Sequence, residues 1–404
     1  MSQFLRTFRK FKVFGHPRKG ITTIMSGGIP VFLRALNAGE QPSPELITGA
    51  MKSIVEGTAS DAEIGAFLFA LRISNLDRDA NCIAIAAEVM KSAAMKVDYV
   101  PPMKNINNLD NGRTVNDNEG NINNKHDDSQ AYCGGLVDIV GTGGDGHNTF
   151  NISTLAGIIA AGAGVRVCKH GNKASTSKSG SADILSAYGC VLPSVSSDNV
   201  GDIFEKTNFC FLLAPLFHPS LAKIGPIRKA IGVPSIFNIL GPLLNPAIIS
   251  SRLIGVSDRT LGEVFAQALL LMSCERAMIV WGQEGLDEIS PAGPTQIWRI
   301  VPGSRAIYQS VVIPASFGLK SHPLDDVKSG TPEENAALLK ELLDGKMPDG
   351  HPIKDFSLMN AAALLVVSGK CSGWKEGVKL ARESLDGGNA RKALDVFKDC
   401  TLTL

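Results

Sequence analysis

Apolar positions recur at helical spacing up to about residue 100 and in short β-branched runs after that. Ser43-Pro44-Glu45 starts a helix whose apolar face is Leu46, Ile47, Ala50, Met51, Ile54 and Val55, before Gly57. Ser60 and Glu63 form a capping box ahead of Ile64, Phe67, Leu68 and Leu71, and a third amphipathic helix is predicted at 80–94. From Leu136 the pattern alternates. Strands are expected at 137–140, 165–168, 209–213, 252–256 and 277–281, with helices at 153–163, 182–188 and 261–272. Alternation of this kind argues for a mainly parallel sheet covered by helices. The expected class is α/β: a small all-helical domain plus a larger α/β domain.

Helical stretches at 200–206 and 219–231 are expected to return to the helical domain. It would then comprise residues 26–100 and a segment at about 197–232, leaving 132–196 and 233–404 to the α/β domain. Residues 101–131 are rich in Asn and Asp and nearly devoid of large apolar side chains, so they read as a disordered insertion at a domain crossing. Residues 1–25 read as a basic extension: no acidic residue precedes Glu40, and Arg6, Arg9, Lys10, Lys12, Arg18 and Lys19 alternate with Phe4, Leu5, Phe8, Phe11 and Phe14. The charge pattern resembles an organellar presequence, but Ser and Thr are sparse, and a cytoplasmic enzyme is the preferred reading.

Composition changes the picture little. An apolar fraction of 44% supplies ample core, and a net charge of +1 argues against nucleic acid or a membrane surface as a bulk partner. The 8 cysteines are scattered without a C-x-x-C, as in a reducing compartment. The long charge-free stretch at 230–251 contains Pro234, Asn238, Pro242, Asn245 and Pro246, which suits buried loops rather than a membrane span.

The chemistry concentrates between Leu136 and Ser181. A strand runs into Gly141-Thr142-Gly143-Gly144-Asp145-Gly146, then Asn151-Ile152-Ser153-Thr154 opens a helix. Glycines let the backbone approach a ligand, and a strand-to-helix turn aims N–H groups at an anion. A basic, hydroxyl-rich loop is expected from Lys169 to Ser181. No acidic residue lies between Gly146 and Ala182, whereas Arg166, Lys169, Lys173 and Lys178 are positive. Such a stretch suits a ligand with several phosphates. Gly141, Gly143 and Gly146 also satisfy G-x-G-x-x-G, yet Lys169 and His170 stand where NAD needs a carboxylate, so only an NADP enzyme survives as an alternative.

Gly141–Gly146, Asn151-Ile152-Ser153-Thr154 and Lys169-His170-Gly171-Asn172, in this order and spacing, resemble anthranilate phosphoribosyltransferases. The segments at 178–183, 214–219, 226–229 and 237–242 and Gly285-Leu286-Asp287-Glu288 continue the series from about Ile29 to the C-terminal region. The resemblance implies transfer of a phosphoribosyl group from phosphoribosyl pyrophosphate to the amine of anthranilate, in tryptophan biosynthesis, with Mg²⁺ as cofactor. It implies donor contacts at Gly141, Gly144, Asp145, Thr149, Asn151, Ser153, Thr154, Lys169, Asn172, Lys173, Ser175, Ser177 and Ser181. Anthranilate contacts are implied at Gly141, His170, Asn172, His218 and Arg228, and metal ligands at Ser153, Asp287 and Glu288. An aromatic amine needs no strong base, so no catalytic side chain is expected. A homodimer is implied, and association with an anthranilate synthase component stays open. This chain departs from many relatives at Val233-Pro234-Ser235 and in carrying His218 after Phe217 rather than paired histidines. A pyrimidine nucleoside phosphorylase of the same fold, or a phosphate-binding protein without turnover, would share parts of the pattern.

Overall fold

A computed structural model describes residues 27–102, 131–174 and 178–404. The expected N-terminal extension and nearly all of the expected insertion lie outside the described residues, as do Ser175 and Ser177.

Four helices open the fold: α1 (Ile29–Asn37), α2 (Pro44–Val55), α3 (Asp61–Ile73) and α4 (Ala80–Ser92). Their starts follow local chemistry. The Ser43 hydroxyl accepts from the Leu46 N–H, and Asp79 caps α4 by accepting from Cys82 N–H at 2.9 Å. The capping box of α3 is complete, Ser60 N–H donating to Glu63 at 2.7 Å and Glu63 N–H to Ser60 Oγ at 3.3 Å.

The α/β part follows as β1 (Leu136–Gly141), α5 (Ile152–Gly162), β2 (Val167–Gly171), α6 (Ser181–Ala187), α7 (Val200–Lys206), β3 (Phe209–Leu213), α8 (Ala214–Phe217), α9 (Ile224–Ile231), β4 (Ile249–Gly255), α10 (Thr260–Leu271) and β5 (Ala277–Gly282). Then come β6 (Thr295–Ile300), β7 (Tyr308–Val312), α11 (Pro332–Leu343), α12 (Pro352–Ser368), α13 (Trp374–Asp386) and α14 (Asn389–Thr403). The sheet order is β3-β2-β1-β4-β5-β6-β7, parallel from β3 to β5 and antiparallel in the β5–β6 and β6–β7 pairs. Among the described residues no helix is long and apolar enough to cross a membrane.

Side-chain alternation sends each face of the sheet to a different core. Val137, Ile139, Leu253, Met278 and Val280 join α5 and α11–α14. Ile254, Val256, Ala277 and Ile279 join α1–α4, α9 and α10, so the opening helices share one core with the sheet instead of forming their own.

Two expectations are corrected. The helix at 200–206 does not return to the opening helices: Val200, Ile203 and Phe204 are buried against β3 and α14, whereas the stretch at 219–231 does, with Ile224 and Ile227 of α9 in the other core and Leu221 and Ile231 packed against it. The second strand lies later than the apolar run at 165–168. Val165 N–H closes the turn after α5 by bonding Ala160 O at 3.1 Å, and the ladder continues instead through Lys169, His170 and Gly171, paired with Phe211, Leu212 and Leu213. Lys169 and His170 are therefore buried strand residues, not the start of an exposed loop.

Candidate active site at the carboxyl edge of the sheet

The ends of β1, β2, β4 and β5 converge on one patch, and two glycines explain how. Gly141 and Gly255 are register partners across β1 and β4. A Cβ on Gly141 would stand 2.3 Å from Asp287 Oδ2, and one on Gly255 1.6 Å from the Asp287 carbonyl oxygen. The missing side chains let the segment after β5 lie across both strand ends. The turn beyond then opens outward: Gly143 N–H donates to Asp287 Oδ2 at 2.7 Å, and Gly144 holds φ +81° with nothing near its Cβ position. His147 Nε2 lies 2.9 Å from Glu284 O, and Phe150 N–H donates to Val327 O at 2.7 Å. Thr149 bridges to Lys328. The sequence reading did not identify these restraints on the turn.

Asn151 caps α5, its Oδ1 accepting from Thr154 N–H at 3.1 Å while its amide donates to Ser181 Oγ at 3.3 Å. Buried Thr154 Oγ1 has no hydrogen-bond partner among the described residues. Below the cap lies Lys169, 1% exposed. Its ammonium donates to Ile139 O at 2.5 Å and to Ser153 Oγ at 3.1 Å. Burial lowers its pKa, opposed by the charges of Asp138, Glu288 and Asp287. The carboxylates face the same space. Burial raises the Asp287 pKa to about 7, with further repulsion from Asp145. Glu288 is raised well above the usual range, first by burial and then by Asp287, although it accepts from the Ser153 backbone N–H.

The loop after β2 is held at both ends by one side chain. Asp183 Oδ2 accepts from Ala174 N–H at 2.8 Å and from Gly180 N–H at 2.9 Å. Asn172 and Lys173 are exposed, and Asn172 O accepts from Ala182 N–H. The motif at 178–183 contained Asp183, but only the folded loop reveals its use.

A second group lies beside β2 and β3. His170 and His218 are both buried, their rings edge to face with centroids 5.1 Å apart. His218 Nε2 sits 2.9 Å from Leu244 O, and His218 Nδ1 and His170 Nε2 have no hydrogen-bond partner among the described residues. Burial, then His218 and Lys169, push the His170 pKa down to about 3, and burial also lowers that of His218. Both rings are neutral near pH 7. Arg228, in the last turn of α9, is half-buried and makes no ion pair or hydrogen bond among the described residues. Buried Asp138 supports this group from β1, accepting from Asn245 Nδ2 at 2.9 Å; neither residue was expected at the site.

Of the predicted phosphate and metal residues, Ser153, Asp287 and Glu288 thus meet around Lys169, with Gly141 and Asp145 beside Asp287 and Asn151, Thr154 and Ser181 at the helix cap; Thr149 bridges to Lys328, Asn172 and Lys173 are exposed on the loop, and two serines lie outside the described residues. The predicted amine residues His170 and His218 meet beside them, and Arg228 presents an unpaired guanidinium on the following helix.

Models of two glycosyl transferase family domains match this chain: the a/b domain over residues 134–391 and the helical bundle domain over residues 30–94. Anthranilate phosphoribosyltransferase of Schizosaccharomyces pombe is 46% identical over 348 residues, covering 86% of this chain and 90% of its own. That of Saccharomyces cerevisiae is 40% identical over 350 residues, covering 85% and 87%. The solved Saccharomyces cerevisiae enzyme in complex with PRPP and Mg superposes with a TM-score of 0.80 at 36% identity, covering 93% of this chain and 98% of that one. The Thermus thermophilus enzyme superposes with a TM-score of 0.74 at 32% identity, covering 92% and 99%.

Proposed function

This chain belongs to the family of anthranilate phosphoribosyltransferases, and on that premise we propose how its own residues carry the reaction. The phosphoribosyl group of phosphoribosyl pyrophosphate passes to the amine of anthranilate, and pyrophosphate leaves; the product serves tryptophan biosynthesis. Negative charge grows on the pyrophosphate as its bond to the anomeric carbon breaks. Groups already aimed at that charge lower the barrier, since they need no reorganisation at the moment of reaction.

The outward-facing turn at Gly141, Gly144 and Asp145, the cap residues Asn151, Ser153 and Thr154, and the Lys169 ammonium form that cradle. Thr149, Asn172, Lys173 and Ser181 extend it, with Ser175 and Ser177 assigned from sequence alone. The observation that carries this reading is Lys169: a lysine 1% exposed places its Nζ 3.1 Å from Ser153 Oγ, beneath the helix cap where phosphates would sit. The donor set also fits the Mg²⁺ seen with the yeast relative. Burial, and then repulsion among Asp287, Glu288 and Asp145, raises the pKa of the first two, and Ser153 offers a hydroxyl alongside. When bound, Mg²⁺ supplies charge neutralisation for the departing pyrophosphate.

The Arg228 fork is assigned to the anthranilate carboxylate, whose planar geometry it matches. His170, His218 and Asn172, with the Gly141 backbone, line the amine side. Neutral, partly unpartnered imidazoles can orient an aromatic amine without acting as strong bases. A homodimer is also proposed, supported by Phe69 and Ile73, one turn apart on α3 and 49% and 65% exposed; sedimentation would show a dimer, and a monomer at micromolar concentration would reject it.

The test is direct. Anthranilate fluorescence should disappear only when protein, phosphoribosyl pyrophosphate and Mg²⁺ are all present. Phosphate-dependent cleavage of uridine or thymidine, with no consumption of anthranilate, would instead favour a nucleoside phosphorylase.

A further inference from the structure

At the opposite, amino-terminal edge of the sheet a cavity of about 350 Å³ opens between the end of α4, the segment entering β4 and the turn after α10. Its walls are of two kinds. Val97, Ile248, Leu269 and Met272 are apolar, while Lys91, Lys96 and Arg252 bring positive charge against Asp98 alone among the lining side chains. Arg252 is 5% exposed, and its Nη1 has no hydrogen-bond partner among the described residues. Its register partner Asp138 does not satisfy it: Asp138 Oδ2 accepts from Asn245, and Oδ1 from His170 N–H at 3.4 Å. Lys91 is pushed down to about 8, by burial and then by Arg252, with Cys274 and then Glu88 on the exposed side of α4 giving only partial relief. Cations packed this close repel one another, and an anion in the cavity would relieve that repulsion.

We propose that this cavity binds a small carboxylate with an apolar body, and that its occupancy is felt at the amine pocket. The carboxylate meets the two lysines in the field of the Arg252 guanidinium, and the body lies on the aliphatic wall. The connection is a short piece of chain. Leu244 O touches His218 Nε2, Asn245 ties Asp138 to Cys168 O at 2.8 Å, and Pro246 to Ile249 line the cavity. Displacement of Ala247 by a ligand is therefore passed to the backbone oxygen that seats His218. The coupling, unlike the binding, rests on the placement of anthranilate beside His218.

Cys274, a half-buried free thiol, also lines the cavity and reports on it without any assay of turnover. Hexanoate is the probe, and alkylation of the Cys274 peptide in the full chain is followed by mass spectrometry. Hexanoate should slow alkylation saturably. The double variant Lys91→Met, Lys96→Met should raise the half-protecting concentration roughly tenfold or more, as expected for lost charged contacts, with an unchanged melting temperature. These lysines are chosen because Arg252 is buried and its charge also acts on buried Asp138. No protection, or protection unchanged in the double variant, overturns the site. Equal protection by inorganic phosphate overturns the carboxylate preference. For the coupling, hexanoate should shift the KM for anthranilate in the wild type but not in the double variant, leaving the KM for the phosphoribosyl donor unchanged. No shift overturns the coupling, and an equal shift in both proteins places hexanoate in the amine pocket and overturns it too.

Discussion

Gly255 and the backbone of Asp287 occupy one another's space: the carbonyl oxygen of Asp287 lies 1.6 Å from where a Gly255 Cβ would stand. No side-chain rotation can relieve such a contact, because the obstructing atom is main chain. Gly255→Ala should move the Asp287–Glu288 segment off the strand ends and lower kcat/KM roughly a hundredfold, the scale of misplacing reacting groups by about 1 Å. The Mg²⁺ concentration for half-maximal rate should rise with it. Gly65, inside α3 with nothing within 4 Å of its Cβ position, is the control. Gly65→Ala should leave kinetics alone and add about 0.5–1 kcal/mol of stability in urea unfolding. An active Gly255→Ala with unaltered Mg²⁺ dependence would refute the packing account.

Lys169 and Arg228 should separate the two substrates. Lys169→Met keeps the buried stem but removes the ammonium that reaches Ser153 Oγ and Ile139 O. The KM for phosphoribosyl pyrophosphate should rise and kcat fall, by roughly 10²–10³ in kcat/KM, as for loss of one preorganised charge donor. Arg228→Ala should raise the KM for anthranilate roughly tenfold or more and leave that for the donor nearly unchanged. Initial-rate kinetics with each substrate varied in turn decide the matter; equal effects on both constants would undo the assignment.

Asp183 ties Ala174 and Gly180 with one carboxylate oxygen. In Asp183→Asn the acceptor is neutral and each bond weaker, so the ends of the phosphate-side loop loosen. The expected result is a several-fold higher KM for the phosphoribosyl donor, an unchanged KM for anthranilate, and faster amide exchange at Ala174 and Gly180. Unchanged exchange at both amides would remove Asp183 from this role.

The buried histidine pair gives stability a definite pH dependence. The folded-state pKa of His170 is about 3, well below its ordinary value, so the unfolded chain takes up a proton first as pH falls. Its contribution is fully present above about pH 6.5 and is lost as pH drops towards 3. At pH 5 that loss is at most about 2 kcal/mol, from about 1.4 kcal/mol per unit. His170→Gln should flatten the fall of the urea midpoint between pH 7.5 and 5. The lowered pKa of His218 works in the same direction. A wild-type midpoint that rises on acidification would contradict the burial of these rings.

Much of this protein is local and therefore readable from the chain. Caps such as Ser60 with Glu63, the helix face at 46–55, the parallel alternation and the order of the glycine turn, Asn151 cap and Lys169 depend on neighbours only a few residues away. The family resemblance rested on the same local runs. What the chain alone concealed depends on residues far apart in sequence. The antiparallel hairpin of β6 and β7 did not emerge from the alternating pattern. The apolar run at 165–168 pointed to a strand that the turn after α5 displaces towards Gly171. The helix at 200–206 looked like its neighbours at 219–231, yet its apolar face meets β3 and α14. The burial of Lys169 and His170, the space that Gly141 and Gly255 leave for Asp287, the closing of a loop by Asp183 and the stranded guanidinium of Arg252 all arise only when strands distant in sequence align. Short-range preferences set the elements, because capping and periodicity act within a turn or two; the pairing and packing of those elements set the electrostatics, because burial and charge proximity exist only in the assembled core.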